Sequence, residues 1–404
     1  MHIAWLGKKS PFCGNVTYSR EVTNALLERG HQVSFLHFSQ DTSPLEKTIF
    51  SSKRDVISHP SDDRQWYSCP EVSLPCLYKS TIYTIPTFKS SKVLAQSLRK
   101  LKPDVVHASL TLSPLDFLLP EICQELNLPL VATFHPPFDR KKSTLTASTQ
   151  HLTYQLYAPF LAHYDRTIVF SQIQRDLLVR LGVPEHRVAV IPNGVDAMKY
   201  SPGSSNLKAE LNAQRIFVYQ GRIALEKNVE ALLKAWKQLH LGRGNKLLIV
   251  GDGPLASSLM ANYGSELGIF WLGFVADEQQ RVQILRGADV FILPSLVEGL
   301  SLSLLEAMAC GLASVATDTG ADGEVLAGGA GVILNPQRVT AQLQTLLPLF
   351  CEQPELTGLL GYKARQRVLE RYTLSKNITE LEELYDRVVQ RFVPVTNQQS
   401  TINN

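Results

Sequence analysis

Short apolar runs alternate with amphipathic segments along most of the chain. The run at 3–6 is followed by a loop with Gly7, Pro11 and Gly14, by apolar residues at helical spacing as far as Leu26, and by a second apolar run. Further runs of the same kind follow at 104–107, 130–134, 167–170 and 188–191. Apolar strands that alternate with helices are typical of a parallel sheet covered on both faces.

The same alternation restarts after a segment at 196–207 that is rich in Ser, Pro and Gly. The later strand candidates are at 215–219, 246–250, 269–272, 289–293, 314–317 and 331–334. We therefore predict an α/β protein with two Rossmann-like domains facing across a cleft, at 1–198 and 199–374. A final helix is predicted at 375–393, before a polar tail at 394–404.

Composition and charge narrow the class of protein. The 404 residues are 44% hydrophobic and 19% charged, which is typical of globular domains. The net charge of +3 does not favour a nucleic-acid partner. It is unevenly spread, because residues 1–200 hold 22 Lys and Arg against 17 Asp and Glu, whereas the remainder holds 18 against 20.

The six cysteines are scattered, without the spacing of a zinc site, and we expect reduced thiols and no bound metal. The first apolar run is too short for a signal peptide, and the sequence has no apolar stretch of membrane-spanning length. These features predict a cytoplasmic protein.

The segment 293–311 carries the first candidate chemistry. An apolar strand ends at Pro294, a loop with Gly299 follows, and a helix is expected to begin near Ser301 or Ser303. The free N–H groups at such a helix start can bind an anion. Glu298 and Glu306 favour a ligand that has hydroxyls beside its phosphate, such as a sugar or ribose. Alternatively, Ser303 and Glu306 form a capping box without any ligand.

Arg222 and Lys227 are the second candidate feature. They follow the strand at 215–219 and precede a helix, where open α/β sheets bind phosphate ligands. A departing diphosphate needs positive charge, and the sequence contains no Asp-x-Asp motif of the kind that holds a metal-bound nucleotide. The two cations could therefore take the place of a metal.

These motifs together resemble the retaining glycosyltransferase family 4, which has the GT-B fold. The resemblance rests on Glu298 and Glu306 with seven residues between them, and on the segments 221–222, 226–227, 191–196, 250–254, 288–290 and 307–311. It implies that no cofactor is needed beyond a nucleotide-sugar co-substrate, expected to be a UDP-hexose.

The resemblance also implies roles for individual residues. Arg222 and Lys227 would bind the donor diphosphate, Glu298 would contact the donor sugar, and Glu306 would hold the ribose. His135 would lie beside the reacting sugar. The remaining donor-binding positions would be Gly14, Asn15, Gly221, Gly299, Leu300 and Ser301. In this family the final helix usually crosses back to the first domain.

The chain departs from the family pattern at three places. Cys13 stands where a second glycine is usual, Ser301 replaces the glycine after the Glu298 motif, and Ala313-Ser314 replaces Pro-Val. None of these changes removes a charged group. They leave the identity of the donor sugar open between galactose and glucose.

The acceptor is expected to bind the first domain, which carries the basic excess. Residues 88–102 contain five Lys and Arg, no acid, and Val93, Leu94, Leu98 and Leu101 at helical spacing. A basic amphipathic helix of this kind can lie on an anionic membrane, although helices of any α/β domain share the pattern. We expect a protein that attaches peripherally to a membrane and acts on a membrane glycolipid.

A narrower resemblance links the segments 5–15, 109–116 and 133–139 to the bacterial-type digalactosyldiacylglycerol synthases of photosynthetic membranes. It implies α-galactosyl transfer from UDP-galactose to monogalactosyldiacylglycerol. Three alternatives remain open: a transferase for a soluble or cell-wall acceptor, a UDP-sugar epimerase, and a non-catalytic protein that binds nucleotide sugars.

Overall fold

The computed structural model describes residues 1–11, 13–40, 66–137, 145–242 and 244–392. The tail expected at 394–404 lies outside these residues. The strands are β1 His2–Leu6, β2 Gln32–Ser39, β3 Glu71–Lys79, β4 Thr84–Pro86, β5 Val105–Ser109, β6 Leu130–Thr133, β7 Arg166–Val169, β8 Val188–Val190, β9 Arg215–Gln220, β10 Asn245–Val250, β11 Ile269–Gly273, β12 Val290–Leu293, β13 Ala313–Thr317 and β14 Val332–Leu334.

Helices separate most of the strands, and the last three described helices follow β14. The helices are α1 Gly14–Glu28, α2 Ser90–Leu101, α3 Leu115–Glu125, α4 Leu145–Leu161, α5 Gln172–Arg180, α6 Leu207–Glu210, α7 Val229–Leu239, α8 Ala256–Met260, α9 Glu278–Gly287, α10 Leu302–Ala309, α11 Asp322–Leu326, α12 Val339–Glu352, α13 Pro354–Arg371 and α14 Leu374–Val389.

Two sheets organise the molecule. The first has the strand order β4-β3-β2-β1-β5-β6-β7-β8, and the second has the order β11-β10-β9-β12-β13-β14. All neighbouring strands within the described residues are parallel except β3 and β4, which are antiparallel. The predicted fold class, two parallel-sheet α/β domains, is confirmed.

The β3–β4 hairpin is an antiparallel strand pair that the sequence pattern did not predict. Pro75 interrupts the apolar run inside β3, and proline normally counts against a strand because it donates no ladder hydrogen bond. It is tolerated here near the edge of the sheet, where only the three-residue strand β4 lies beyond β3.

Within the described residues the chain crosses between the two sheets twice, and the crossings lie side by side. The Val195 N–H donates to Tyr372 O at 2.9 Å, and the Leu374 N–H donates to Val195 O at 2.9 Å. After the second crossing, α14 packs against α1 of the first sheet. There the Tyr385 hydroxyl lies 2.6 Å from His107 Nδ1, and His107 stacks on Trp5 with ring centroids 4.0 Å apart.

Candidate active site

The carboxyl ends of the strands in both sheets open onto one cleft, where the loop after β12 meets the loop after β6. A Cβ atom built on Gly299 would lie 3.4 Å from His135 O. The Asn193 side chain of the first crossing donates Nδ2–H to Leu300 O at 3.2 Å. The structure thus brings together two segments that are more than 150 positions apart in the sequence.

Lys227 and Glu298 form an ion pair on one wall of this cleft. Lys227 ends a short 3-10 turn, Leu225–Lys227, and its Nζ lies 2.6 Å from Glu298 Oε1. The Leu296 N–H donates to Glu226 O at 2.8 Å, so the backbones of the two loops are also joined. Glu298 is largely buried, and its pairing with Lys227 fixes the position of both charges.

Arg222 belongs to the same loop after β9 as Lys227, and its side chain is exposed. Its carbonyl accepts the Tyr219 hydroxyl at 2.7 Å, which holds the backbone of the loop after β9. Gly221 belongs to the same loop, and a Cβ there would come 2.9 Å from the Tyr219 hydroxyl. In the described part of the chain no carboxylate forms an ion pair with the Arg222 guanidinium, so this cation is available to an anionic ligand.

Glu306 lies inside α10 and does not take part in capping that helix. The cap is Ser301, whose Oγ accepts the Leu304 N–H at 3.3 Å, and Ser303 lies within the helix. The capping-box interpretation of Ser303 and Glu306 is therefore wrong. Glu306 instead accepts a hydrogen bond from Gln220 Nε2 at 2.7 Å.

The environment of Glu306 changes its protonation. Burial raises the pKa of Glu306 to about 7, although the Arg281 guanidinium opposes the rise. The side chain also borders a cavity of about 30 Å³ that reaches Tyr18 and Arg20 of α1 in the other domain. At neutral pH this carboxyl group can therefore either donate or accept a hydrogen bond.

The N–H of Ser301, which the sequence interpretation assigned to a sugar or phosphate, already has an acceptor. It donates to Asp322 Oδ1 at 3.0 Å. The structure therefore corrects that expectation for Ser301, because a ligand would have to displace a carboxyl group to reach this N–H.

Asp322 is a site residue that the sequence interpretation missed. Its side chain is fully buried, and its Oδ2 has no partner among the described residues. Burial, and then the nearby Glu298 charge, raise the pKa of Asp322 well above its ordinary value. Its position just after β13, at the same sheet edge as Glu298, was the available signal.

His135 follows β6 and closes the opposite wall. Its Nε2 lies 2.8 Å from Ser109 Oγ, and the Ser109 hydroxyl donates to Asn15 Oδ1 at 2.7 Å. Because the hydroxyl proton is used on Asn15, Nε2 must carry the imidazole proton. Burial, and then the Lys8 ammonium, lower the pKa of His135 to about 3, so the ring is neutral and only weakly basic.

Gly14 and Asn15 begin α1 beside this group. A Cβ on Gly14 would meet no atom within 4 Å, so its backbone borders open space. Asn15, in contrast, uses both ends of its amide, since Nδ2 donates to Leu110 O at 3.2 Å and Oδ1 accepts from Ser109. The Asn15 side chain therefore orients Ser109 and, through it, His135.

Lys8 is a second residue that the sequence interpretation missed. It lies two residues after the end of β1, is almost fully buried, and donates from Nζ to Ser80 O at 3.1 Å and to Thr81 O at 3.2 Å. The sequence feature that could have identified it is a lysine at the carboxyl end of a central strand. Lys8 connects the cleft to the turn of the β3–β4 hairpin.

Two family models match most of this chain. Residues 13–199 match the model described as Glycosyltransferase Family 4, and residues 214–350 match the model described as Glycosyl transferases group 1. The two matches cover both walls of the cleft, including His135, Arg222 and Glu298. The chain is a glycosyltransferase, and its residues 13–199 match family 4.

Curated relatives agree with this assignment. The glycosyltransferase is 26% identical to the Escherichia coli UDP-Gal:alpha-D-GlcNAc-diphosphoundecaprenol alpha-1,3-galactosyltransferase, over 77% of this chain and 82% of that enzyme. It is also 26% identical to sulfoquinovosyl transferase SQD2 of Arabidopsis thaliana, over 78% of this chain. That match spans only 63% of the plant enzyme.

A solved structure agrees on the fold. The Anabaena protein HepE in complex with UDP-glucose is 16% identical to the glycosyltransferase, with a TM-score of 0.73, and the match covers 96% of this chain and all of that one. The GT-B fold is confirmed by this likeness. Among the described residues of the glycosyltransferase, no helix combines the length and the apolar character needed to cross a membrane.

Proposed function

We propose that this glycosyltransferase moves a hexose, galactose or glucose, from a UDP-sugar to a hydroxyl of a membrane glycolipid with retention of configuration. One observation carries the proposal: the exposed Arg222 and the Lys227–Glu298 pair belong to the joined loops after β9 and β12, and the loop after β12 comes within contact distance of His135. Cations, a sugar-binding carboxylate and an acceptor-side loop thus surround one space.

The comparisons support the choice of donor and acceptor without deciding it. The E. coli relative is named for UDP-galactose and for a lipid-linked acceptor, and the HepE structure contains UDP-glucose. The narrowest form of the proposal is digalactosyldiacylglycerol synthesis, in which α-galactose passes from UDP-galactose to monogalactosyldiacylglycerol. We also propose that the enzyme acts at the cytoplasmic face of a membrane.

The proposed reaction breaks the bond between the sugar C1 and the β-phosphate oxygen. The acceptor oxygen bonds to C1 on the same face, and its proton passes to the departing phosphate oxygen. Arg222 and Lys227 stabilise the negative charge that develops on the diphosphate, so we expect no metal requirement. Mutagenesis of comparable charge-stabilising groups in other enzymes typically costs 10²–10³ in rate.

The carboxyl groups of the site support same-face attack rather than a covalent sugar intermediate. Glu298 is engaged by Lys227, and the fully buried Asp322 accepts the Ser301 N–H on Oδ1. Neither is a free carboxylate of the kind that forms such an intermediate. In this proposal His135 orients the acceptor or sugar by hydrogen bonding, since its weakly basic ring is a poor proton acceptor.

The test is to incubate the pure protein with labelled UDP- and GDP-hexoses and total membrane lipids, and to identify the labelled products. We expect label from a UDP-hexose in one glycolipid, with UDP released in equal amount. Label in a water-soluble glycoside would indicate that the acceptor is soluble and not a lipid. Conversion of the donor without acceptor would indicate an epimerase, and ligand binding with no turnover would contradict catalysis altogether.

A further inference from the structure

The β3–β4 hairpin and the residues that join it to α2 expose large apolar side chains that nothing in the described chain covers. Phe88 is fully exposed, and Leu77 and Ile82 are 66% and 65% exposed. The exposed members of this surface, called here the apolar hairpin, are Leu77, Tyr78, Ile82, Tyr83, Ile85 and Phe88. These residues are close in the sequence, and Tyr78 pairs with Ile85 across the two strands. Exposed apolar side chains grouped in this way indicate an interaction site.

We propose that the apolar hairpin inserts into the headgroup region of an anionic bilayer and holds the mouth of the cleft at the lipid surface. This inference rests on the proposed glycolipid acceptor and names the part of the molecule that contacts the membrane. The hairpin contacts bilayer lipids in this proposal and takes no part in binding the sugar.

The apolar side chains available to a membrane lie on the hairpin and not on α2. The apolar face of α2 is buried, with Val93, Leu94 and Leu98 in the core, where the helix packs on β3 and α3. That face is therefore unavailable to lipid, contrary to the expectation that the amphipathic helix itself lies on the membrane. The aromatic side chains of the hairpin remain exposed, and Tyr78 and Tyr83 lie 5.6 Å apart by ring centroids. Tyrosine is favoured at membrane interfaces because it has both an apolar ring and a polar hydroxyl.

The charge around the hairpin identifies the partner. Between Leu77 and Lys102 the chain has six Lys and Arg and no Asp or Glu. Of these, Lys89 and Lys92 are exposed directly after Phe88. A cluster of cations beside an exposed apolar surface complements anionic lipid headgroups, which attract basic residues near the surface. We therefore commit to a bilayer as the occupant, in preference to a second copy of this basic surface, which would repel its like.

Hydrogen bonds join the hairpin to the acceptor side of the cleft. Lys8 Nζ, which lies close enough to His135 to influence its pKa, donates to Ser80 O and Thr81 O in the turn between β3 and β4. The Thr84 N–H donates to Leu112 O at 3.4 Å in the loop after β5. An inserted hairpin would therefore hold the cleft mouth where a lipid headgroup can enter while its acyl chains stay in the bilayer.

The test measures sedimentation of the full chain with phosphatidylcholine vesicles, with and without phosphatidylglycerol. An Ile82→Ser, Phe88→Ser double variant should lose vesicle affinity by on the order of tenfold or more, because two large apolar side chains no longer enter the bilayer. The matched control is a Leu359→Ser, Tyr362→Ser double variant, which changes two exposed side chains of α13 and should bind as the unmodified protein does. A Lys89→Gln, Lys92→Gln variant should lose most of its preference for the anionic vesicles.

Equal vesicle affinity of the Ile82→Ser, Phe88→Ser variant and the unmodified protein would overturn the inference, as would absence of vesicle binding by the unmodified protein. Loss of self-association with unchanged vesicle binding would assign the surface to a second copy instead. The readout does not depend on transfer: if no lipid accepts a sugar, the proposed function fails while the vesicle result still decides the role of the hairpin.

Discussion

The carboxyl group of Glu306 shows how the interior of the fold changes a residue that the sequence marks only as an acid. Burial raises its pKa from the ordinary 4.5 to about 7. Between about pH 4.5 and about pH 7 the folded state therefore binds more protons than the unfolded state does. As a result, the contribution of Glu306 to the free energy of unfolding falls as the pH rises through this range. Above about pH 7 Glu306 is ionised in both the folded and the unfolded state, and its contribution to the free energy of unfolding no longer changes.

The same shift predicts pH-dependent donor binding. If Glu306 accepts hydrogen bonds from ribose hydroxyls, UDP should bind about threefold to tenfold more tightly at pH 8 than at pH 6, because charged acceptors form the stronger bonds. Isothermal titration calorimetry across this range checks the prediction. A Glu306→Gln variant should bind more weakly and show little pH dependence, and an unchanged pH profile in that variant would assign the titration to another group.

At the scale of elements, the loop after β12 is held in shape by the loop after β13. The Ala321 N–H donates to Gly299 O at 2.7 Å, and Gly320 has a φ of +55°. A Cβ on Gly320 would come 2.3 Å from both Glu298 O and Gly299 O. Only glycine therefore allows the two loops to approach this closely.

A Gly320→Ala variant should consequently displace the Glu298 loop. We expect a loss of about 2–4 kcal/mol in the free energy of unfolding together with a severe loss of transfer activity. The added Cβ would clash with the two carbonyl oxygens, and alanine disfavours the positive φ of this position. Gly358→Ala in α13 is the matched control, because a Cβ there meets no atom within 4 Å and alanine favours a helix. Chemical denaturation checks both; equal stability of the Gly320→Ala and unmodified proteins would contradict the loop packing described here.

The sequence pattern predicted the alternation of strands and helices well, because apolar runs and their periods are local properties. It placed α14 at 375–393, close to the observed Leu374–Val389. It could not predict the β3–β4 hairpin, whose Pro75 breaks the local pattern, or the partner of the Ser301 N–H. Asp322 reaches that N–H across 21 positions, and only the packing of two loops brings them together.

At the scale of the whole molecule, the site exists only where the two domains meet. The first crossing packs so closely on the second that a Cβ on Gly194 would come 2.6 Å from Leu374 Cα. The Glu324 carboxylate of the second domain accepts the N–H groups of Gln172 and Ile173, at 3.3 and 3.2 Å, at the start of α5 in the first. These contacts hold the wall with Arg222 and Glu298 against the wall with His135.

Arg222 is proposed to stabilise the charge of the departing diphosphate. Because its side chain is exposed, its removal leaves no buried partner unpaired. The most direct measurement is the initial rate of hexose transfer from the UDP-sugar by an Arg222→Ala variant whose unfolding transition matches that of the unmodified protein. A Lys234→Ala variant, which removes an exposed cation of α7 paired with Glu230, is the control. We expect a rate lower by about a hundredfold or more for Arg222→Ala and no change for the control. Normal transfer by the folded Arg222→Ala variant would contradict this role of Arg222.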